Sequence, residues 1–229
     1  MSPIEDACSS GMVAIPAGSF LMGSTRYYPD EGPVHRRSVD AFEIDRHPVT
    51  NRQFARFVES TGYVTVAERP LDPAAFPSLA PEQLTPGALV FTPTPGPVDL
   101  RDWRQWWAWV PGASWRTPEG PGSSIEERLD HPVAQVAFAD ATAYARWAGK
   151  ALPTEVEFEY AARGALDAAP FAWGQDEHPG GQLMADTLTS GVGARHGLTG
   201  CGVGCLDLSY LPRSSAISPQ TGVPQMVGT

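Results

Sequence analysis

Two cysteines near the end of the chain have the side chains and spacing most suited to chemistry. Cys201 and Cys205 are separated by three residues in a glycine-rich run. Two thiols at this spacing could chelate a soft metal ion or form a redox pair. The only other cysteine is Cys8, and no further cysteine or histidine stands at a ligand spacing. Three cysteines in 229 residues also argue against a disulfide framework.

Asp186 and Thr187 could serve a harder cation. The Asp186 carboxylate and the Thr187 backbone carbonyl are oxygen ligands of the kind that calcium prefers. Calcium takes about six to eight such oxygens, so these two would supply only part of a site. Asp186 and Thr187 are the candidate metal residues. Residue type and spacing alone assign no catalytic residue and no cofactor-binding residue in the chain.

Three glutamates, Glu155, Glu157 and Glu159, follow Thr154 and could serve acid–base catalysis. The structural alternative is stronger, because acidic residues in the first turn of a helix interact favourably with its dipole. The histidines are scattered through the chain, and we expect structural or solvent-exposed roles for them. They are His35, His47, His131, His178 and His196.

A tryptophan-rich run from Trp103 to Trp107 could stack a ligand, although core packing is the simpler interpretation. The run lies in a long stretch, residues 70–132, that is rich in proline and has little periodicity. Large aromatic side chains can pin irregular backbone by the area they bury. We therefore expect this stretch to form a packed, irregular covering rather than a disordered linker.

The composition narrows the possible partners. The chain carries 26 acidic and 16 basic side chains, for a formal net charge of −10. That charge argues against nucleic acid and against an anionic membrane surface, and favours a peptide or a metal ion. No run approaches the length of a membrane span. Residues 1–11 lack the basic region and apolar core of a signal peptide, so we expect a cytoplasmic protein.

Glycine and proline number 23 each, which predicts short elements and many loops. Met12–Ile15 and Phe20–Gly23 are predicted strands, with a chain-reversing turn at Pro16–Ser19 between them. Arg36–Val39 and Phe42–Asp45 are predicted to form another strand pair.

Three helices have local start and stop signals. Thr50 and Gln53 have capping-box spacing, Phe54, Phe57 and Val58 then share one face, and Gly62 suits the end of the helix. Asp140 is the predicted N-cap of a second helix that ends at Gly149, with Tyr144, Trp147 and Ala148 as its apolar stripe. Thr154 and Glu157 form the capping box of a third helix that ends at Gly164. Short helices combined with short strands predict an α+β fold.

Several ordered strings resemble the formylglycine-generating enzyme (sulfatase-modifying factor) family. The string over 147–164, WAGKALPTEVEFEYAARG, is the most specific of them. Collinear matches are IPAGSFLMGS from Ile15, EIDRHPVTNRQF from Glu43, TGYVT from Thr61, WRTPEGP from Trp115, DHPV from Asp130, FAWG from Phe171 and PGGQLMADT from Pro179. The resemblance covers residues 12–187.

This resemblance implies a C-type-lectin-like fold with little regular secondary structure. It also implies an oxidase that converts the cysteine of a sulfatase C-x-P-x-R segment to formylglycine, using oxygen and copper(I) held by two cysteine thiolates. Family members bind structural calcium as well, and Asp186 and Thr187 fall where the family has two of its calcium ligands.

After Thr187 the sequence departs from the family pattern. The family's final cysteine pair has four residues between its members, unlike Cys201 and Cys205, so we do not assign the copper-ligand role to them. We expect an N-terminal arm at 1–11, a partial enzyme-like domain at 12–187 and an aberrant tail at 188–229. If the codons for residues 214–222 are read one nucleotide out of frame, they can encode a stretch of sequence that the family has and this chain lacks. We therefore interpret the tail as a frameshift product.

Three functional hypotheses follow. The first is a formylglycine-generating type of oxidase that lacks its catalytic end and is inactive as this chain stands. The second is a non-catalytic peptide- or protein-binding module on the same lectin-like scaffold. The third is metal or redox chemistry at Cys201 and Cys205.

Overall fold

The computed structural model describes residues 11–184, except positions 27, 79, 100, 165 and 183. The described chain forms two compact units. The central unit is Pro48–Leu152, and the terminal unit combines residues 11–47 with 153–184. None of the helices in these residues is long and apolar enough to cross a membrane.

Regular elements in the described residues are short, as the glycine and proline content predicts. The strands are β1 (Met12–Ile15), β2 (Gly18–Met22), β3 (His35–Val39), β4 (Phe42–Asp45), β5 (Gly87–Phe91) and β6 (Trp107–Pro111). The α-helices are α1 (Asn51–Thr61), α2 (Phe138–Trp147) and α3 (Glu155–Arg163). Short 3-10 helices span Pro29–Glu31, Val66–Glu68, Pro81–Leu84, Trp103–Gln105, Glu126–Arg128 and Pro179–Gly181.

In the terminal unit, β1 and β2 together form one side of a long antiparallel ribbon. β2 pairs with β3, and Gly18 stands opposite Val39. β1 pairs with β4 in the same continuing register, with Ile15 opposite Phe42. The predicted chain reversal at Pro16–Ser19 is therefore wrong, and so is the pairing of the third and fourth strands with each other. Proline has no amide hydrogen, so Pro16 interrupts the ladder without turning the chain.

α3 packs against the β2–β3 part of this ribbon. Its capping box is present as predicted: Thr154 Oγ1 accepts from the Glu157 amide at 3.3 Å, and Glu157 Oε2 accepts from the Thr154 amide at 2.8 Å. Gly164 ends the helix in the left-handed conformation. The Tyr160 ring lies 5.3 Å from that of Phe20, centroid to centroid.

The core of the central unit is aromatic. α1 begins with the predicted capping box of Thr50 and Gln53, and ends at Gly62 in the left-handed conformation. Its apolar face is buried as predicted, and Phe54 and Phe57 are at most 2% exposed. Trp115 is fully buried and its ring centroid lies 5.2 Å from that of Phe54. Tyr144 and Trp147 of α2 pack on this cluster, which places two of the three residues of the predicted stripe on the core; the third, Ala148, follows the last residue of the helix.

α2 begins two residues before the predicted N-cap. Asp140 lies in the first turn of the helix, and its carboxylate accepts a hydrogen bond of 2.8 Å from the Ala137 amide. The same carboxylate, which is fully buried, accepts from the Tyr63 hydroxyl and the Val66 amide, both at 3.0 Å. The prediction of Asp140 as the N-cap is therefore wrong by three residues. Asp140 lies inside the helix, and its side chain accepts from the backbone amide of the actual N-cap residue, Ala137.

An exposed ion pair ties the start of α1 to the turn before Pro132. Arg52 Nε and Nη2 donate to the two carboxylate oxygens of Asp130 at 2.9 and 3.1 Å. The hydrogen bond from Arg52 lowers the pKa of Asp130 below its ordinary value. A lowered folded pKa means that the pair stabilises the fold above the ordinary aspartate pKa of about 4, and that this contribution is lost as pH falls further.

We therefore expect the difference in urea midpoint between the parent and Asp130→Asn to be present at neutral pH and to vanish at acid pH. The measurement is urea unfolding at a series of pH values. A difference that stays constant through the acid range would contradict the assignment. Because both side chains are exposed, we expect a small difference that also falls with added salt.

Candidate functional site

The β5–β6 ribbon of the central unit carries an aromatic face. Leu89 stands opposite Trp109 in the antiparallel register, and Phe91 stands opposite Trp107. Side chains two residues apart in a strand share a face, so these four lie together. The Phe91 and Trp107 rings meet edge to face with centroids 5.7 Å apart. Trp109 is 42% exposed, which makes it the most accessible large side chain of the set.

The opposite face of the ribbon is buried in part. Val90 is buried on that face, and Val110 lies against the turn that contains Gly120. Gly120 has a φ of +100°, and a Cβ there would come within 2.5 Å of the Val110 side chain. Glycine is therefore required at this contact, because only it combines the backbone conformation with the close approach. The turn that contains Gly120 thus packs against the Val110 side of the ribbon, opposite the aromatic face.

Charged side chains in the connection between β5 and β6 are paired with one another. Arg101 donates to both oxygens of Asp99, with the shortest distance 2.8 Å, and this hydrogen bond lowers the pKa of Asp99. Arg104 lies 3.7 Å from Asp102 and stacks over the Trp103 ring at 5.7 Å.

The stretch expected to be an irregular covering thus contains a regular hairpin, and that expectation was wrong in this part. The apolar run of β5, bounded by Pro86 and the prolines after Phe91, was the available signal for a strand. The tryptophans divide between two roles. Trp115 packs in the core, whereas Trp107 and Trp109 belong to the aromatic face.

The glutamates that follow Thr154 have structural partners. Glu157 completes the capping box, and Glu159 forms a 2.6 Å ion pair with Arg163. Glu159 also accepts from the Gly23 amide at 2.8 Å, while Arg163 donates to the Gly23 carbonyl at 3.2 Å. Glu155 lines a concavity of about 710 Å³ in the terminal unit. These contacts support the structural interpretation of Glu157 and Glu159.

The candidate metal residues Asp186 and Thr187 lie outside the described residues, as do Cys8, Cys201 and Cys205. Within the described part of the chain there is consequently no cysteine, and no group of three His, Asp or Glu side chains is placed to hold a metal ion. The described residues therefore do not provide a copper site of two thiolates.

Comparison with known proteins identifies the family. Residues 2–207 match the family described as the sulfatase-modifying factor enzyme 1-like domain. The match covers most of the chain, which therefore belongs to this family and confirms the resemblance found in the sequence.

The similar relatives include proteins named formylglycine-generating enzyme and one whose name calls it inactive. The chain is 64% identical over 176 residues to the formylglycine-generating enzyme of Mycobacterium tuberculosis (strain ATCC 25618 / H37Rv), covering 77% of this chain and 58% of that protein. It is 48% identical over 185 residues to the formylglycine-generating enzyme of Thermomonospora curvata, covering 79% of this chain and 57% of that protein. It is 41% identical over 172 residues to the inactive C-alpha-formylglycine-generating enzyme 2 of Bos taurus, covering 73% of this chain and 54% of that protein. The chain thus spans little more than half the length of these relatives.

Proposed function

We propose that this chain binds a cysteine-containing sulfatase segment of the C-x-P-x-R type on the aromatic face of the β5–β6 ribbon. The observation that carries the proposal is the exposed Trp109, held beside the partly buried Leu89, Phe91 and Trp107 on one face of the ribbon. The description of the matching family, the sulfatase-modifying factor enzyme 1-like domain, supports a sulfatase as the partner.

The chemistry of the segment suits this face. A proline ring is a rigid apolar group that packs flat on an indole, and it costs little conformational entropy to immobilise. An arginine in the segment is attracted by a protein of formal net charge −10. The aromatic face would therefore give the contact area, while the overall charge would favour the encounter.

We propose further that this chain binds the segment without oxidising it. The whole sequence has only three cysteines, and the spacing of Cys201 and Cys205 differs from that of the family's thiolate pair. An inactive relative at 41% identity is consistent with a binding role on this scaffold. The test is mass spectrometry of a C-x-P-x-R peptide incubated with the full chain, copper and oxygen; conversion of its cysteine to formylglycine would contradict the proposal.

A C-type-lectin-like fold, structural calcium and copper(I) are further expectations for the whole protein. For calcium, Asp186 and Thr187 are the proposed partial ligand set. If they contribute, calcium should raise the melting temperature of the parent but not that of Asp186→Ala. Equal stabilisation of both proteins would exclude Asp186 as a ligand.

Binding is tested with a fluorescein-labelled C-x-P-x-R peptide in anisotropy titrations of the full chain. We expect Trp109→Ala to weaken binding by about 2 kcal/mol, or roughly thirtyfold, as is typical of a central aromatic contact. Phe138→Ala is the matched control, because Phe138 is an exposed aromatic side chain of the same unit at 79% exposure. Equal affinities of the parent and Trp109→Ala would refute the assignment of this face.

A further inference from the structure

Gln135 has a backbone conformation that the sequence does not favour. Its φ is +57°, and Gln135 and Ala168 are the two non-glycine residues with positive φ in the described part of the chain. A side chain with a Cβ is strained in this region, and such residues persist only where the surrounding structure holds them. The structure must therefore contain contacts that hold Gln135 in place.

Those contacts come from its own side chain. Gln135 Nε2 donates to the Leu89 carbonyl at 3.2 Å and to the Pro118 carbonyl at 3.0 Å. Leu89 is the cross-strand partner of Trp109, and Pro118 lies in the turn whose Gly120 supports the other face of the ribbon. One amide group thus links the strand that carries the aromatic face to the turn behind it.

We propose that Gln135 is a positioning residue for the aromatic face, an inference that rests on the proposed function of that face. Its two N–H donors are fixed in one plane, so together they set where β5 lies relative to the turn. Losing them leaves both carbonyls without this donor and lets β5 move. The aromatic face would then lose its fixed position relative to the turn behind it, and Leu89 and Trp109 would no longer be held in place for the peptide.

The test is the same anisotropy titration on the full chain, combined with thermal melts. Gln135→Gly removes the amide and also removes the strain at positive φ, so the lost hydrogen bonds and the relieved strain oppose each other in stability. We expect peptide binding to weaken by about tenfold while the melting temperature changes little. Gln182→Gly, at an exposed glutamine of the terminal unit, is the matched control and should bind as the parent does.

A purely structural role predicts the reverse, with a lowered melting temperature and unchanged affinity, and that result would overturn the proposal. In the Trp109→Ala background, Gln135→Gly should cause no further loss of binding; a further tenfold loss would show that Gln135 acts elsewhere. If Trp109→Ala alone binds normally, the proposed function fails independently of Gln135. If Gln135→Gly does not fold, Gln135→Asn decides, since asparagine tolerates the conformation but its shorter side chain cannot reach both carbonyls.

Discussion

Asp140→Asn is expected to destabilise the central unit by about 3 kcal/mol, although it changes one atom of a side chain. The carboxylate is fully buried and accepts from the Tyr63 hydroxyl, the Val66 amide and the Ala137 amide. Burial, and then the hydrogen bond to Asp140, raise the pKa of Tyr63, so its hydroxyl remains a donor. An asparagine amide would have to turn its NH₂ group toward at least one of these donors. A buried N–H without an acceptor would result, and this cost is the basis of the estimate.

The measurement is urea unfolding followed by far-ultraviolet circular dichroism. Asp72→Asn is the control with the same change of charge, because Asp72 is exposed and its carboxylate accepts from the Ala74 amide at 2.9 Å, a role that suits an asparagine oxygen equally well. We expect its unfolding midpoint to match that of the parent. A parent-like midpoint for Asp140→Asn would mean that the carboxylate is not needed to hold the entry to α2.

The helices that the sequence predicted well are those with complete local signals. Thr50 with Gln53, and Thr154 with Glu157, satisfy each other's backbone within one turn, so no distant contact is needed to define where the helix begins. Asp140 lacked such a partner. Its neighbours Ala137 and Phe138 offer no capping side chain, and the choice between a cap before the helix and one inside it depends on Val66 and Tyr63, far away in sequence.

Strand pairing was harder to predict for the same reason. Pro16 and the residues after it are typical of a turn, and locally nothing distinguishes a reversal from an interruption. The continuing register of β1–β4 and β2–β3 decides between them, and that register is a long-range property. The family resemblance was predictable because it depends on ordered strings rather than on pairing.

The aromatic face shows where sequence reasoning stops. Trp107 was singled out for its residue type, but its neighbours on the face come from a strand that was missed, and only the hairpin register joins Trp109 to Leu89. Gln135 gave no signal at all, since its importance depends on a positive φ and on two carbonyls that meet only in the folded chain. Residues that position a site through the backbone are therefore the ones that a single sequence conceals.

Trp115→Ala is expected to cost about 3 to 5 kcal/mol of stability, which is the usual range for emptying a buried aromatic site. Trp115 is fully buried against Phe54, and the Arg116 guanidinium lies 4.2 Å from its ring centroid. Its indole Nε1 is buried and has no hydrogen-bond partner among the described residues. Trp115→Phe should therefore cost less than its loss of volume suggests, about 1 to 2 kcal/mol, because it also removes this unpaired donor.

Comparison with Trp109 separates stability from recognition. Both residues are tryptophans of the central unit, but Trp109 is 42% exposed and Trp115 is fully buried. In urea unfolding, the stability of Trp109→Ala should lie within about 1 kcal/mol of that of the parent, because a partly exposed side chain contributes little burial. In the peptide titration, its affinity should be far weaker than that of the parent. Trp115→Phe should do the opposite, with lower stability and nearly parental peptide affinity. If the two variants lost stability and affinity in the same proportion, the aromatic face would be part of the core and not a separate binding surface.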